Sequence, residues 1–129
     1  MNLAKLLIIN AVATAAAGIV LFLRPDLIAG VVGIYLDPGD YFLYYLLGSS
    51  ELAFAVLCYS SRNLQNAEAL RIVTLTCIVF HAASGVAGIY ASIQGLSLVV
   101  WGNVALRVLM VTLFIYYGIY RPSLKAEGR

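Results

Sequence analysis

Residues 6–23 read LLIINAVATAAAGIVLFL, an apolar run without a single charged side chain, flanked by Lys5 and Arg24. A membrane-spanning helix needs about 20 mostly apolar residues. Three later stretches have the same character: 41–59, 70–92 (with a start as early as Ala67) and 98–120. The sequence therefore predicts an all-α fold, a transmembrane four-helix bundle with short loops in one domain, followed by a short polar tail at 121–129.

The composition agrees with a lipid environment. Hydrophobic residues make up 63% of the 129 residues and charged residues 11%, whereas soluble domains are about half apolar and about a quarter charged. The net charge of +2 is small and scattered, so nucleic acid is not an expected partner. The expected partner is the lipid bilayer.

The first apolar run also has features of a secretory signal. Lys5 precedes it, and the small residues 13–17 resemble a cleavage site. The run continues through residues 18–23 without a polar break. This continuation favours a retained helix over a cleaved signal peptide.

An apolar segment between the first two helices is too short to cross the bilayer. Residues 27–36 read LIAGVVGIYL and lie between Pro25 and Pro38, and Gly30 and Gly33 weaken them as a helix. Two interpretations stay open for this extracytoplasmic segment. It is an interfacial loop lying on the outer leaflet, or a lid over the external mouth of the bundle.

The basic residues predict the orientation of the chain. With four spans, one side of the membrane collects most of them: Lys5, Arg62, Arg71, Arg121, Lys125 and Arg129. The opposite side has only Arg24, beside Asp26, Asp37 and Asp40. The positive-inside rule then places both termini in the cytoplasm.

Three ionisable residues fall inside predicted spans rather than at their ends. Glu51, His81 and Arg107 each lie about ten residues into their helix, so at about 1.5 Å per residue each is close to the bilayer midplane. Each such charge costs about 2.5–3.5 kcal/mol at a helix centre. We therefore expect an ion pair between Glu51 and Arg107, with His81 hydrogen-bonded nearby.

Helical phase supports an inward-facing arrangement of these residues, because small or polar residues recur every three or four positions in each helix. These faces are Asn10, Thr14 and Gly18 in the first helix; Tyr44, Gly48, Glu51, Ala55 and Cys58 in the second; Thr74, Cys77, His81, Ser84, Gly88 and Ser92 in the third; and Asn103, Arg107, Met110, Phe114 and Tyr117 in the fourth. Asn103, one turn from Arg107, is a predicted hydrogen-bond partner. Tyr44 either reaches the cluster from above or anchors the helix at the interface.

Each of these residues also has a purely structural interpretation. Glu51 and Arg107 could lock the bundle or form a ligand or proton site, and His81 could be a hydrogen-bonded core residue or carry protons. Cys58 and Cys77 are read as small hydrophobic residues. No metal site is predicted, because the candidate ligands lie at differing depths and Arg107 would repel a cation. No catalytic motif is recognisable, and the cofactor stays unassigned.

The segment Gly48-Ser49-Ser50-Glu51-Leu52-Ala53-Phe54-Ala55 resembles the Gly…Glu-Leu pattern in one helix of DoxX-like small four-helix membrane proteins. The length of the chain and the number of helices also fit that group. The resemblance covers little more than one helix. It implies a bacterial or archaeal inner-membrane protein linked to redox or quinone metabolism.

Three functions are compatible with this pattern. The favoured one is a non-enzymatic, multi-pass membrane protein that binds a lipid or another small apolar or amphipathic ligand, or serves as an accessory bundle, through the Glu51–His81–Arg107 cluster. The second is a proton-coupled small-molecule transporter that works as a homodimer. The third is a membrane oxidoreductase subunit with Glu51 or His81 as its acid–base group.

Overall fold

The computed structural model describes residues 1–95 and 97–122, and in that part of the chain it contains five α-helices and no strand. The helices are α1 (Leu3–Leu23), α2 (Pro25–Val31), α3 (Tyr41–Ser61), α4 (Ala67–Ile93) and α5 (Val100–Phe114), and α5 continues as a π-helix over Ile115–Tyr120. All of these except α2 are long and apolar enough to cross a membrane. The predicted all-α, four-helix membrane bundle is confirmed. Of the predicted tail at 121–129, residues 123–129 lie outside the described part.

Two of the helices begin earlier than the apolar pattern alone predicted, and side-chain caps explain why. The Asn2 side chain accepts the Lys5 backbone N–H at 3.0 Å, so α1 begins at Leu3. The Asn66 side chain accepts the Ala69 N–H at 2.9 Å, so α4 begins at Ala67, the earliest start considered. Asparagine is among the preferred N-cap residues because its oxygen satisfies an amide at the open helix end.

The segment between α1 and α3 is more ordered than a loop. Pro25 presets the first helical turn of α2 and Asp26 favours its N-terminus. Gly33 then ends the helix with a φ of +80°, as Gly33 donates to Gly30 O and Ile34 donates to Ala29 O. This is the Schellman pattern. From the sequence we expected a loop or lid that Gly30 and Gly33 weaken as a helix, whereas residues 25–31 are helical and Gly33 ends the helix.

The end of α2 is tied to the connection between α4 and α5. The Ser97 backbone N–H donates to Val32 O at 3.3 Å. This bond holds α2 at the end of the bundle where α1 ends and α5 begins.

The spanning helices form two tight antiparallel pairs, α1 with α3 and α4 with α5. In the first pair, a Cβ added at Gly18 would come within 2.8 Å of Gly48 O, and one added at Gly48 within 3.0 Å of Gly18 O. In the second pair, a Cβ at Gly88 would lie 2.8 Å from Val104 Cγ2. Glycine thus lets the two helices of each pair approach each other closely, as is common in membrane bundles. The seam between α1 and α5 is less tightly packed.

The outer surface of the bundle is apolar and its interior contains the polar groups. Large aliphatic or aromatic side chains more than half exposed occur on every spanning helix, among them Val12, Phe42, Val79 and Val108. Asn10, Glu51, Thr74 and His81 are buried instead. This inversion of the soluble pattern is expected when lipid is the solvent.

Candidate functional site

Glu51, His81 and Arg107 meet in the interior at mid-membrane depth. Glu51 is the central residue of α3, and His81 lies one position past the centre of α4. Both side chains are buried, and Arg107 reaches them from α5 with 17% of its side chain exposed. The three helices therefore deliver one acid, one imidazole and one guanidinium to a single site.

The ion pair joins Arg107 Nη2 to Glu51 Oε1 at 3.7 Å. At an effective dielectric constant of about 20, this separation corresponds to an attraction of about 4 kcal/mol. Desolvating the two ions costs several kcal/mol each. The attraction offsets this cost in part, so the pair does not by itself stabilise the bundle relative to an apolar pair.

Arg107 determines the direction of a hydrogen-bond chain that crosses the bundle. The guanidinium can only donate, so His81 Nδ1, 3.2 Å from Arg107 Nη1, accepts. The proton of the neutral ring is then on Nε2, which donates to Asn10 Oδ1 at 2.9 Å. Asn10 Nδ2 in turn donates to Cys58 Sγ at 3.2 Å. All the donors in the chain are thus oriented away from Arg107.

Aromatic rings enclose the cationic side of the cluster. The Arg107 guanidinium carbon lies 5.2 Å from the centre of the Phe80 ring, within the range of a cation–π contact. Phe114 stacks against His81 with ring centres 5.9 Å apart. These rings limit the movement of both side chains.

The other two residues predicted for the site differ in their positions. Asn103 Oδ1 accepts from Arg107 Nε at 3.4 Å, so Asn103 belongs to the cluster. Tyr44 is half-buried on α3, about two turns from Glu51 towards the N-terminal end of that helix. No hydrogen bond described over residues 1–95 and 97–122 joins Tyr44 to the cluster, and it does not line the cavity beside it.

A cavity of about 200 Å³ lies beside the cluster, in the seam between α1 and α5. Glu51, His81, Asn103 and Arg107 contribute its polar wall, and the rest of its lining is mostly Ala, Ile, Leu and Met. Glu51 Oε2 is buried and has no hydrogen-bond partner among the described residues. An unsatisfied buried carboxylate oxygen is costly, so Glu51, whose side chain lines the cavity, keeps one unused acceptor.

A larger, apolar cavity adjoins the first one. It measures about 660 Å³ and lies between α1, α2 and α5, lined mainly by valine, leucine and isoleucine. The two cavities share Asn103 and Leu106 as lining residues. The cavity with the polar wall and the apolar cavity beside α2 are therefore neighbours.

Two parts of the polar network were missed from the sequence. Asn10 was placed on the polar face of the first helix but not in the site, although an asparagine at that depth is itself a signal. Cys58 and Cys77 were read separately as small hydrophobic residues, and their contact was missed: their sulfur atoms are 3.8 Å apart. The first turns of α4 extend past the end of α3 and bring Cys77 to the level of Cys58.

No protein-family model, curated protein or solved structure matches this chain. The assignment of function therefore depends on the geometry of the site.

The ion pair predicts non-additive losses of stability. Arg107→Gln leaves Glu51 buried without a counter-ion and should lower the free energy of unfolding by about 3 kcal/mol or more. Glu51→Gln should also destabilise, and the double variant should lose less than the sum of the two. Unfolding in mixed micelles measures all three. The exposed Arg24–Asp26 pair is the control, and because water screens exposed ion pairs, little coupling is expected there. Additive losses at Glu51 and Arg107 would show that the two side chains do not interact.

The hydrogen-bond chain predicts one tautomer of His81. The sequence contains a single histidine, so ¹⁵N-histidine labelling reports on this ring alone. We expect a protonated Nε2 and an unprotonated Nδ1 in the wild type, and loss of that preference in Arg107→Met. Asn103→Leu, which removes a contact to Arg107 but none to His81, should leave the tautomer unchanged. A proton on Nδ1 in the wild type would refute the chain.

Proposed function

We propose that this protein binds a small amphipathic molecule from the bilayer, with the polar group of the ligand at Glu51 and Arg107. The observation that carries the proposal is Glu51, whose side chain lines a cavity and whose Oε2 is a buried acceptor without a partner among the described residues. A hydrogen-bond donor on the ligand would satisfy it.

The energetics of the ion pair favour a binding site over a structural lock. Replacing a buried ion pair by apolar residues is often neutral or stabilising. The close contacts at Gly18, Gly48 and Gly88 already supply tight packing between the helices. A charged pair at mid-membrane depth is better explained by what it binds, since intramembrane ionisable groups are typically functional.

The site defines the chemistry of the ligand. Glu51 requires a donor, and Arg107 offers N–H groups to an acceptor. A hydroxyl or phenol group meets both requirements in one head, and an apolar body would fit the cavity beneath α2. A quinol has this chemistry, and quinone-linked metabolism is also what the resemblance to DoxX-like proteins implies.

The ligand would enter sideways from the lipid. The seam between α1 and α5 is lined on the α1 side by the small residues Ala13 and Ala17. Because α2 lies over the apolar cavity, a lipid-soluble molecule would reach the site between α1 and α5 from the bilayer rather than from the aqueous phase.

We also propose that the protein lies in the cytoplasmic membrane with both termini in the cytoplasm. The outer Arg24 donates two hydrogen bonds to Asp26, at 3.0 and 2.8 Å, which hold the pKa of Asp26 below its usual value and keep the pair charged. Its positive charge is therefore balanced locally.

In intact cells, Gly39→Cys should react with a membrane-impermeant maleimide and Gln65→Cys should not. The reverse labelling pattern would show that both termini lie on the opposite side of the membrane.

Filling the seam should block ligand binding. We expect native mass spectrometry of the protein in nanodiscs of cell-derived lipid to show a retained small molecule. Ala13→Leu should reduce its occupancy about tenfold or more, because overpacking a filled site costs about 1–3 kcal/mol. Ala16→Leu is the matched control on the same helix, since both alanines are exposed but Ala16 lines neither cavity.

Two results would contradict the proposal: a wild-type protein that retains nothing beyond bulk lipid, or equal occupancy in the two leucine variants. The same spectra report whether the protein is a homodimer.

A further inference from the structure

Two cysteines from different helices touch inside the bundle. Cys58 on α3 and Cys77 on α4 are both free, both have no exposed surface, and their Sγ atoms are 3.8 Å apart. A disulfide has an S–S length of about 2.05 Å, so a movement of less than about 2 Å would join them. The proposed ligand site uses neither thiol.

The pair is also connected to the polar cluster. Asn10 Nδ2 donates to Cys58 Sγ, while Asn10 Oδ1 accepts from His81. Asn10 also lines the cavity in the α1–α5 seam. One amide side chain therefore separates the Cys58 sulfur from a cavity on the lipid-facing seam, which gives a small uncharged oxidant a route to the thiol.

A space-filling role explains these features poorly. A buried cysteine is usually equivalent to a small apolar residue, and one alone would carry no inference. Here two thiols are in contact across a helix–helix boundary, and one of them accepts an amide N–H. Donation to sulfur favours negative charge on it, and the thiolate is the reactive form of cysteine.

We propose that Cys58 and Cys77 are a redox-active dithiol within the membrane, which hydrogen peroxide oxidises to a disulfide between α3 and α4. The Cys58 sulfur attacks one peroxide oxygen, the O–O bond breaks, and the departing hydroxide takes the thiol proton and leaves as water. The product is a sulfenic acid on Cys58. The Cys77 sulfur then attacks the Cys58 sulfur, the S–O bond breaks, and the hydroxyl leaves as a second water with the Cys77 proton. The two electrons lost by the thiols reduce one peroxide to two waters.

Oxidation would change the arrangement of the two helix pairs. The α1–α3 and α4–α5 pairs are joined along the chain by residues 62–66, and the disulfide would add a second covalent link inside the bundle. A movement of Cys58 towards Cys77 would alter the hydrogen bond that Cys58 Sγ accepts from Asn10. The change would be transmitted to His81 through the other end of Asn10.

The test uses the full-length, reduced protein in nanodiscs, treated with hydrogen peroxide and followed by intact mass and peptide mapping. The wild type should lose two hydrogen masses, map to a Cys58–Cys77 disulfide, and return to the dithiol with dithiothreitol. Cys77→Ala should stop at a sulfenic acid on Cys58, trapped by dimedone. Cys58→Ala should react at Cys77 at least tenfold more slowly. Peptide mapping separates these changes from oxidation of Met110.

The control for the reagent is the wild-type chain unfolded in sodium dodecyl sulfate, where both thiols are accessible. If the unfolded chain oxidises while the folded protein keeps both thiols, the proposal is overturned. It is overturned equally if Cys77→Ala and Cys58→Ala react at the same rate. Neither cysteine lines the ligand cavity, so a disulfide can form even if no ligand is retained.

Discussion

The interior of this protein depends on one constraint: a carboxylate and a guanidinium lie at the middle of a membrane and must be shielded from lipid together. Glu51 and Arg107 come from helices in different packed pairs, and their ion pair spans the boundary between the pairs. Any arrangement that separated the pairs would expose a charge to hydrocarbon. The ion pair thus fixes how the α1–α3 unit faces the α4–α5 unit, even though it adds little net stability.

Close packing within each pair and looser packing between the pairs have different roles. Glycines at positions 18, 48 and 88 allow helices within a pair to approach closely. The α1–α5 seam has no such contact among the described glycines, and the two adjoining cavities lie there. A bundle packed equally tightly on all sides would have no room for a ligand beside Glu51. The division into tight pairs provides both rigidity and access.

The polar groups form one directed system. Because Arg107 can only donate, it orients His81, and His81 orients Asn10 towards the Cys58 sulfur. Changes at either end are therefore felt at the other through two side chains, without a movement of the backbone. The proposed ligand site and the proposed dithiol lie at opposite ends of this system, which gives a physical path by which oxidation and ligand binding would influence each other.

The sequence by itself determined the membrane-spanning helices, because an apolar run of sufficient length has no other stable solution in a chain of this composition. It also predicted that Glu51, His81 and Arg107 lie at the same depth in the bilayer, because the fixed rise per residue of a helix relates position along the sequence to depth. The short helix α2 was missed, since its capping by Gly33 depends on backbone hydrogen bonds that composition does not reveal. Only the tertiary structure decided which helices pair, how far α4 extends past α3, and hence that Asn10 reaches His81 and that Cys58 touches Cys77. Those contacts depend on the relative shift and rotation of helices, and neither quantity is encoded in the spacing along one helix.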